Sequence, residues 1–309
     1  MGRYVARRLL QMIPVFIGST LLIFLMMFAL PGDPVRALAG EQAVDQAQIA
    51  ALKAELGLDR PILVQYVSYI ANVFQGDFGT QIASQRPISE VILDAYPITI
   101  QLALFAFTFI VVAGILLGLI AGLKPNSVRD RGLLGLTLLL IAVPSFVTGY
   151  TAQFVFAFKL GLVPPNVGLE PTWNELLMPA MVLASLSLAY VARLTRTSIA
   201  ENLRADYMRT ATAKGLPKRR IIGVHLMRNS LIPVVTFLGT DIGSLMGGAI
   251  VTEGIFNIKG VGGLIYEALG RREGATVVGV VTIIVIVYLL ASLIVDLLYA
   301  VLDPRIRYA

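Results

Sequence analysis

Apolar residues gather into long stretches without charge at 9–30, 98–123, 132–158, 176–192 and 274–295, and at 229–252 with Asp241 as the single interruption. These stretches are 17 to 27 residues long. A helix rises about 1.5 Å per residue and bilayer hydrocarbon is about 30 Å thick, so about 20 apolar residues cross it. The pattern predicts six membrane-spanning helices. The longest connection, 31–97, opens on Leu30-Pro31-Gly32-Asp33-Pro34, where two prolines stop the first span. Residues 43–56 and 61–74 repeat apolar positions at helical spacing, with Gly57 between them as a C-cap signal. Gly76-Asp77-Phe78-Gly79 then predicts a turn, so the segment reads as a small helical cap on the outer surface. Span two is expected to start at Pro97 and span three to kink at Pro144, while Pro179 falls near the outer end of span four.

Composition agrees with a membrane protein. Of 309 residues, 57% are hydrophobic and 14% are charged, against about 25% charged in an average soluble domain. There is no cysteine, which excludes disulfides, thiolate nucleophiles and iron–sulfur clusters. His225 is the single histidine, and Ser145 and Ser185 have no base partner in sight. No catalytic or metal-binding constellation is expected, and no G-x-x-x-x-G-K-[ST] string supplies a nucleotide phosphate loop. Any nucleotide energy must come from another chain.

The net charge of +6 is sorted by loop. With the N-terminus inside, inner segments hold 17 basic and 4 acidic residues, and outer segments hold 8 and 13. Basic excess marks the cytoplasmic face, so both termini are expected there and the charge needs no nucleic-acid partner. Arg7-Arg8, the first apolar run and Ala37-Leu38-Ala39 imitate a secretion signal. The run is 22 residues long, whereas signal cores are about 7–15, so it reads as a retained span.

Two intramembrane features stand out. Gly239, Gly243 and Gly247 recur every four residues beside Ser244 and Gly248. Such a stripe lets helix backbones approach closely, either at a subunit seam or pathway surface or in packing within the chain. Asp241 lies well inside span five, where an unpaired carboxylate is costly, so it is a functional candidate. Asp296 lies near the cytoplasmic end of span six, within reach of Arg305 or Arg307, and reads as structural.

The loop 193–230 carries nine basic and two acidic residues. Residues 201–214 read as a helix, Gly215 ends it, and Pro217 begins a second helix over 217–228. The product is a helix–glycine–helix elbow. Here Tyr207-Met208-Arg209-Thr210-Ala211-Thr212-Ala213-Lys214-Gly215-Leu216-Pro217 looks like the "EAA" loop of ATP-binding-cassette importers, with Arg209-Thr210-Ala211 in the triplet's place. The whole chain resembles their membrane subunits, in particular the B-type subunit of oligopeptide/dipeptide permeases. The likeness extends to Leu56-Gly57-Leu58-Asp59-Arg60-Pro61-Ile62, Gly76-Asp77-Phe78-Gly79, Glu253-x-Ile255-Phe256 and Leu302-Asp303-Pro304-Arg305-Ile306-Arg307. Lys259 stands where many relatives carry proline.

The resemblance implies an all-α, polytopic protein of the type I ABC importer permease class in the bacterial inner membrane. It divides into a first span (1–30), an extracytoplasmic helical segment (31–97), a core of five spans (98–302) containing the coupling loop 193–230, and a cytoplasmic tail (303–309). It implies a homologous second permease subunit, two cytoplasmic ATPase subunits or domains holding ATP and magnesium, and an extracytoplasmic peptide-binding protein. No cofactor is expected on this chain. Arg209, Thr210, Ala211, Lys214, Gly215 and Leu216 are expected to couple to the ATPase, Gly215 turning where a side chain would collide. Gly215→Val or Ala211→Glu is then expected to abolish peptide-stimulated ATP turnover while the protein still inserts. Asp241 is a candidate for meeting a peptide's ammonium group. Nickel or another small solute is the alternative cargo. A secondary carrier would want more intramembrane ionisable groups, and an intramembrane enzyme a nucleophile with a base.

Overall fold

The computed structural model describes residues 2–28, 60–81, 84–246 and 249–302. Among them the chain is helical apart from turns and one isolated β-bridge, Thr80 to Pro87. In chain order the helices are α1 (Gly2–Phe28), α2 (Ile62–Phe74), α3 (Ile88–Gly122), α4 (Val128–Ala142) and α5 (Ser145–Lys159). They continue with α6 (Trp173–Asn202), α7 (Asp206–Ala213), α8 (Lys218–Ser230), α9 (Ile232–Met246), α10 (Ile250–Ile255), α11 (Val261–Gly270) and α12 (Gly274–Leu302). Four of them, α1, α3, α6 and α12, are long and apolar enough to cross a membrane, and six spans result when α4–α5 and α8–α9 each count as one.

The expected kink at Pro144 is a full break, since α4 and α5 meet at 103°. Val143 has ψ 123° and Pro144 has ψ 141°, both extended. Proline disfavours helical geometry in the residue before it and donates no hydrogen bond, so two helices replace one. Span two begins at Ile88 rather than Pro97, and the proline lies inside a helix of 35 residues. The predicted helix 201–214 is also two elements. Helix α6 runs through to Asn202 with Pro179 inside it, and 203–205 turn the chain into α7. Gly247, the 43–56 helix, the Leu30–Pro34 and most of the Leu56–Ile62 motif and the tail 303–309 lie outside the described residues. So does the side chain of Asp296.

The chain forms two compact units, Met1–Thr99 with Lys259–Ala309, and Ile100–Ile258. In this division the last span groups with the first, rather than with the other core spans. In the first unit α1 packs on α12, and Phe24, Tyr66 and Val278 make a core that joins both to α2. In the second unit α6 is central and is packed by α4, α5, α9 and α10. Helix α3 closes on it through Gly114, Gly118 and Gly122. A Cβ on these glycines would lie 2.7 Å from Val191 Cγ1, 2.5 Å from the Ala192 carbonyl and 2.7 Å from Ile199 Cβ. Real Cβ atoms do not come so near, so this contact needs glycine at each step of the stripe.

Candidate coupling site

The elbow is built from its own hydrogen bonds. At the end of α6, Leu203, Arg204 and Ala205 donate to the carbonyls of Ile199, Glu201 and Asn202 at 3.0–3.1 Å. Tyr207 OH donates to Asn202 Oδ1 at 2.6 Å, tying α7 to the helix before it. Asp206 occupies the first turn of α7, where a carboxylate suits the positive helix end. The helix closes with Gly215 N to Thr212 O at 2.9 Å and Leu216 N to Ala211 O at 3.4 Å. Gly215 has φ +71°, yet a Cβ built there meets nothing within 4 Å. The collision expected for a side chain is absent. The left-handed backbone alone calls for glycine, at about 1–2 kcal/mol for another residue.

The six sequence-chosen residues divide by burial. Arg209, Thr210, Lys214 and Gly215 are exposed along one edge. Ala211 is 5% exposed and sits with Met208, Ile199, Ile221 and Leu226 in a core that Leu216, Leu119 and Leu123 flank. Ala211 therefore supports the elbow from within. Ala211→Glu would bury a charge in that core and damage the elbow itself, so it cannot isolate coupling from folding. Between the two elbow helices lies an open groove of about 580 Å³, with Met208, Ala213, Ile221 and Ile222 on its walls and Arg209 and Lys218 at its rim. The pair Arg209–Asp206, at 3.6 Å with both side chains mostly exposed, adds little.

A second feature, which the sequence reading missed, stiffens the base of the elbow. Arg196 donates from Nε to Asp130 Oδ1 at 2.7 Å and from Nη2 to Oδ2 at 2.6 Å. Asp130 also accepts from Asn126 N at 2.8 Å and is 1% exposed. This two-pronged pair locks the first turn of α4, and with it the short connection before it, onto the end of α6, about two turns before the elbow begins. Its signal was legible: Asp130 is the single acid of residues 124–131, and Arg196 lies just past span four. The Gly114–Gly118–Gly122 spacing was equally visible beside Gly239–Gly243–Gly247. In α9, Gly239 is half-buried and Gly243 buried, and α9 packs on α6.

Asp241 receives a hydrogen bond from Ser187 Oγ of α6 at 2.8 Å on Oδ1. Its Oδ2 is buried and has no partner. Among the described residues no group of three or more His, Cys, Asp or Glu side chains gathers as a metal site.

Residues 114–308 match the family described as binding-protein-dependent transport system inner membrane component, and residues 1–103 match the N-terminal region of such components. The chain belongs to this family. It is thus a multi-pass inner-membrane permease subunit and not an enzyme, and importers of this kind work with a binding protein and ATPase partners. It is 39% identical to the glutathione transport system permease protein GsiC of Salmonella paratyphi A, over 100% of both chains. It is 37% identical to the dipeptide transport system permease protein DppB of Escherichia coli K12, over 100% of this chain and 99% of that one. With the di/tripeptide transport system permease protein DppB of Pseudomonas aeruginosa the identity is 35%, over 99% of this chain and 98% of the relative. The permease's coupling candidates and its rigid base lie together in the second unit, while α1, α2 and α12 belong to the first.

Proposed function

We propose that this permease forms half of a peptide pathway, paired with a homologous membrane subunit and driven by two ATPase subunits that grip the elbow. Both termini face the cytoplasm, and ATP with its magnesium is held by the ATPases. The observation that carries the reading is an exposed edge, Arg209, Thr210, Lys214 and Gly215, standing on a core that includes Ala211 and Leu216. A force applied to that edge reaches α6 without being absorbed by a loose loop. The cargo follows from the relatives' names, which specify dipeptides, di- and tripeptides and glutathione. Nickel is not favoured.

Asp241, held by Ser187, is the residue we assign to the peptide's ammonium group as it passes. The charged parts of the outer segment, with eight acids and four basic residues over 31–97, face the binding protein. The test is ATP hydrolysis by the purified complex. A binding protein loaded with peptide should raise it several-fold while nickel leaves it unchanged. Stimulation by nickel alone, or peptide uptake driven by an ion gradient without ATPase subunits, would defeat the proposal.

A further inference from the structure

Helix α2 was expected on the outer surface, yet its partners lie deep along the spans. Arg8 is the last charge before the first apolar run, and Thr20 is 12 residues beyond it, which is about 18 Å of helix. The hydrocarbon layer is about 30 Å thick, so Thr20 lies near its middle. Tyr66 OH is 2.9 Å from Thr20 Oγ1 and donates to the Ile17 carbonyl at 3.2 Å. Phe74 stacks near Phe16, one turn closer to Arg8, with ring centres 6.5 Å apart. On α12, Tyr69 OH donates to Thr282 Oγ1 at 2.7 Å, eight residues in from Gly274. Measured from Arg8 along α1 and from Gly274 along α12, these contacts lie about 12–18 Å inside the apolar runs, so α2 lies within the hydrocarbon layer.

The surface of α2 suits that depth. Its 13 residues, ILVQYVSYIANVF, include no charge, and the flanking charges Arg60 and Asp77 lie beyond its two ends. Its tyrosine hydroxyls turn toward α1 and α12 and find partners there, as a site without water requires. The outward stripe is apolar: Leu63 is 64% exposed, Val67 66% and Phe74 80%. These positions are four and seven residues apart and share a face. At about 20 Å the helix is too short to span.

We infer that α2 is a membrane-embedded anchor whose Leu63–Val67–Phe74 stripe lies against lipid acyl chains, clasping the first and last spans from the lipid side. The inference is independent of the cargo and of which side the termini face. The chain has no cysteine, so single cysteines at 63, 67 and 74 can each be spin-labelled on the purified chain before the complex is assembled in lipid vesicles. Collision with dissolved oxygen should exceed collision with a water-soluble nickel chelate at all three positions. A tryptophan at Val67, with Trp173→Phe removing the native one, should be quenched by chain-brominated lipids. Greater nickel than oxygen collision would place the helix in water. Little of either, with no quenching, would place it under another protein subunit. Either result overturns the assignment.

Discussion

Helices α1 and α6 are both long enough to cross the bilayer, and they use their surfaces in opposite ways. Within this chain, 11% of the most apolar stretch of α1 is buried, against 61% for α6. Helix α1 turns Leu9, Leu10, Ile13, Leu22 and Met26 outward. Helix α6 is the less apolar of the two, and it buries Ala184, Ser185, Ala189, Ala192 and Ser198. Lipid is as apolar as leucine, so large aliphatic side chains gain nothing by leaving it for a neighbouring helix. Small residues and satisfied polar groups do gain by close approach. The more apolar of the two helices is therefore the less buried, and the more polar, small-residue helix is the packing centre of its unit.

That contrast can be broken at several points. The largest effect should come from Asp130→Ala, which strands the Arg196 guanidinium and costs about 3 kcal/mol. Thermal inactivation of the assembled complex measures it. Arg7→Ala at the exposed end of α1 should stay within about 0.5 kcal/mol. The double variant Asp130→Leu/Arg196→Met should lose less than Asp130→Ala alone, because no charge is then left unpaired. Next comes a pair of glycines. Gly118→Ala would force a Cβ to 2.5 Å from the Ala192 carbonyl and from Thr195 Cβ, costing about 1–3 kcal/mol. Gly18→Ala in α1 meets nothing within 4 Å and should be neutral or slightly stabilising. Equal losses at 118 and 18 would remove the distinction between the two helices.

Smaller effects sharpen the elbow and the pathway. Gly215→Val should cost about 1–2 kcal/mol and reduce peptide-stimulated ATP turnover, while Gly215→Asn, which tolerates the left-handed backbone, should retain most of it. If collision rather than backbone geometry mattered, both would fail alike. Asp241→Asn keeps an acceptor for Ser187 and should shift stability by less than about 1 kcal/mol. Its expected consequence is weaker uptake of peptides with a free ammonium group than of N-acetylated ones. Unchanged preference in a vesicle uptake assay removes Asp241 from the pathway.

Much of the fold was legible because length and apolarity are what a bilayer selects. Four spans follow directly from uncharged runs, and the elbow follows from Gly215 and Pro217. What escaped depends on geometry rather than composition. Pro144 signals a bend, but its 103° is set by how α4 and α5 pack on α6. Residues 201–214 have continuous helical periodicity, and the turn at 203–205 carries no glycine or proline to announce it. The stripes 114–118–122 and 239–243–247 are alike in sequence, and only the approach of α3 to α6 shows which steps require glycine in the described residues. Ala211 illustrates the same limit in the candidate site: its position in the loop suggests contact with a partner, while its burial assigns it to the elbow's own core.

The most direct measurement is a cross-link from a single cysteine at Thr210, the exposed edge of the elbow. In the intact, transporting complex it should capture an ATPase chain, and a cysteine at the outward-facing Leu22, well inside α1, should capture none. A complex that imports peptide while residue 210 captures no ATPase chain would contradict the elbow as the point where force enters this permease.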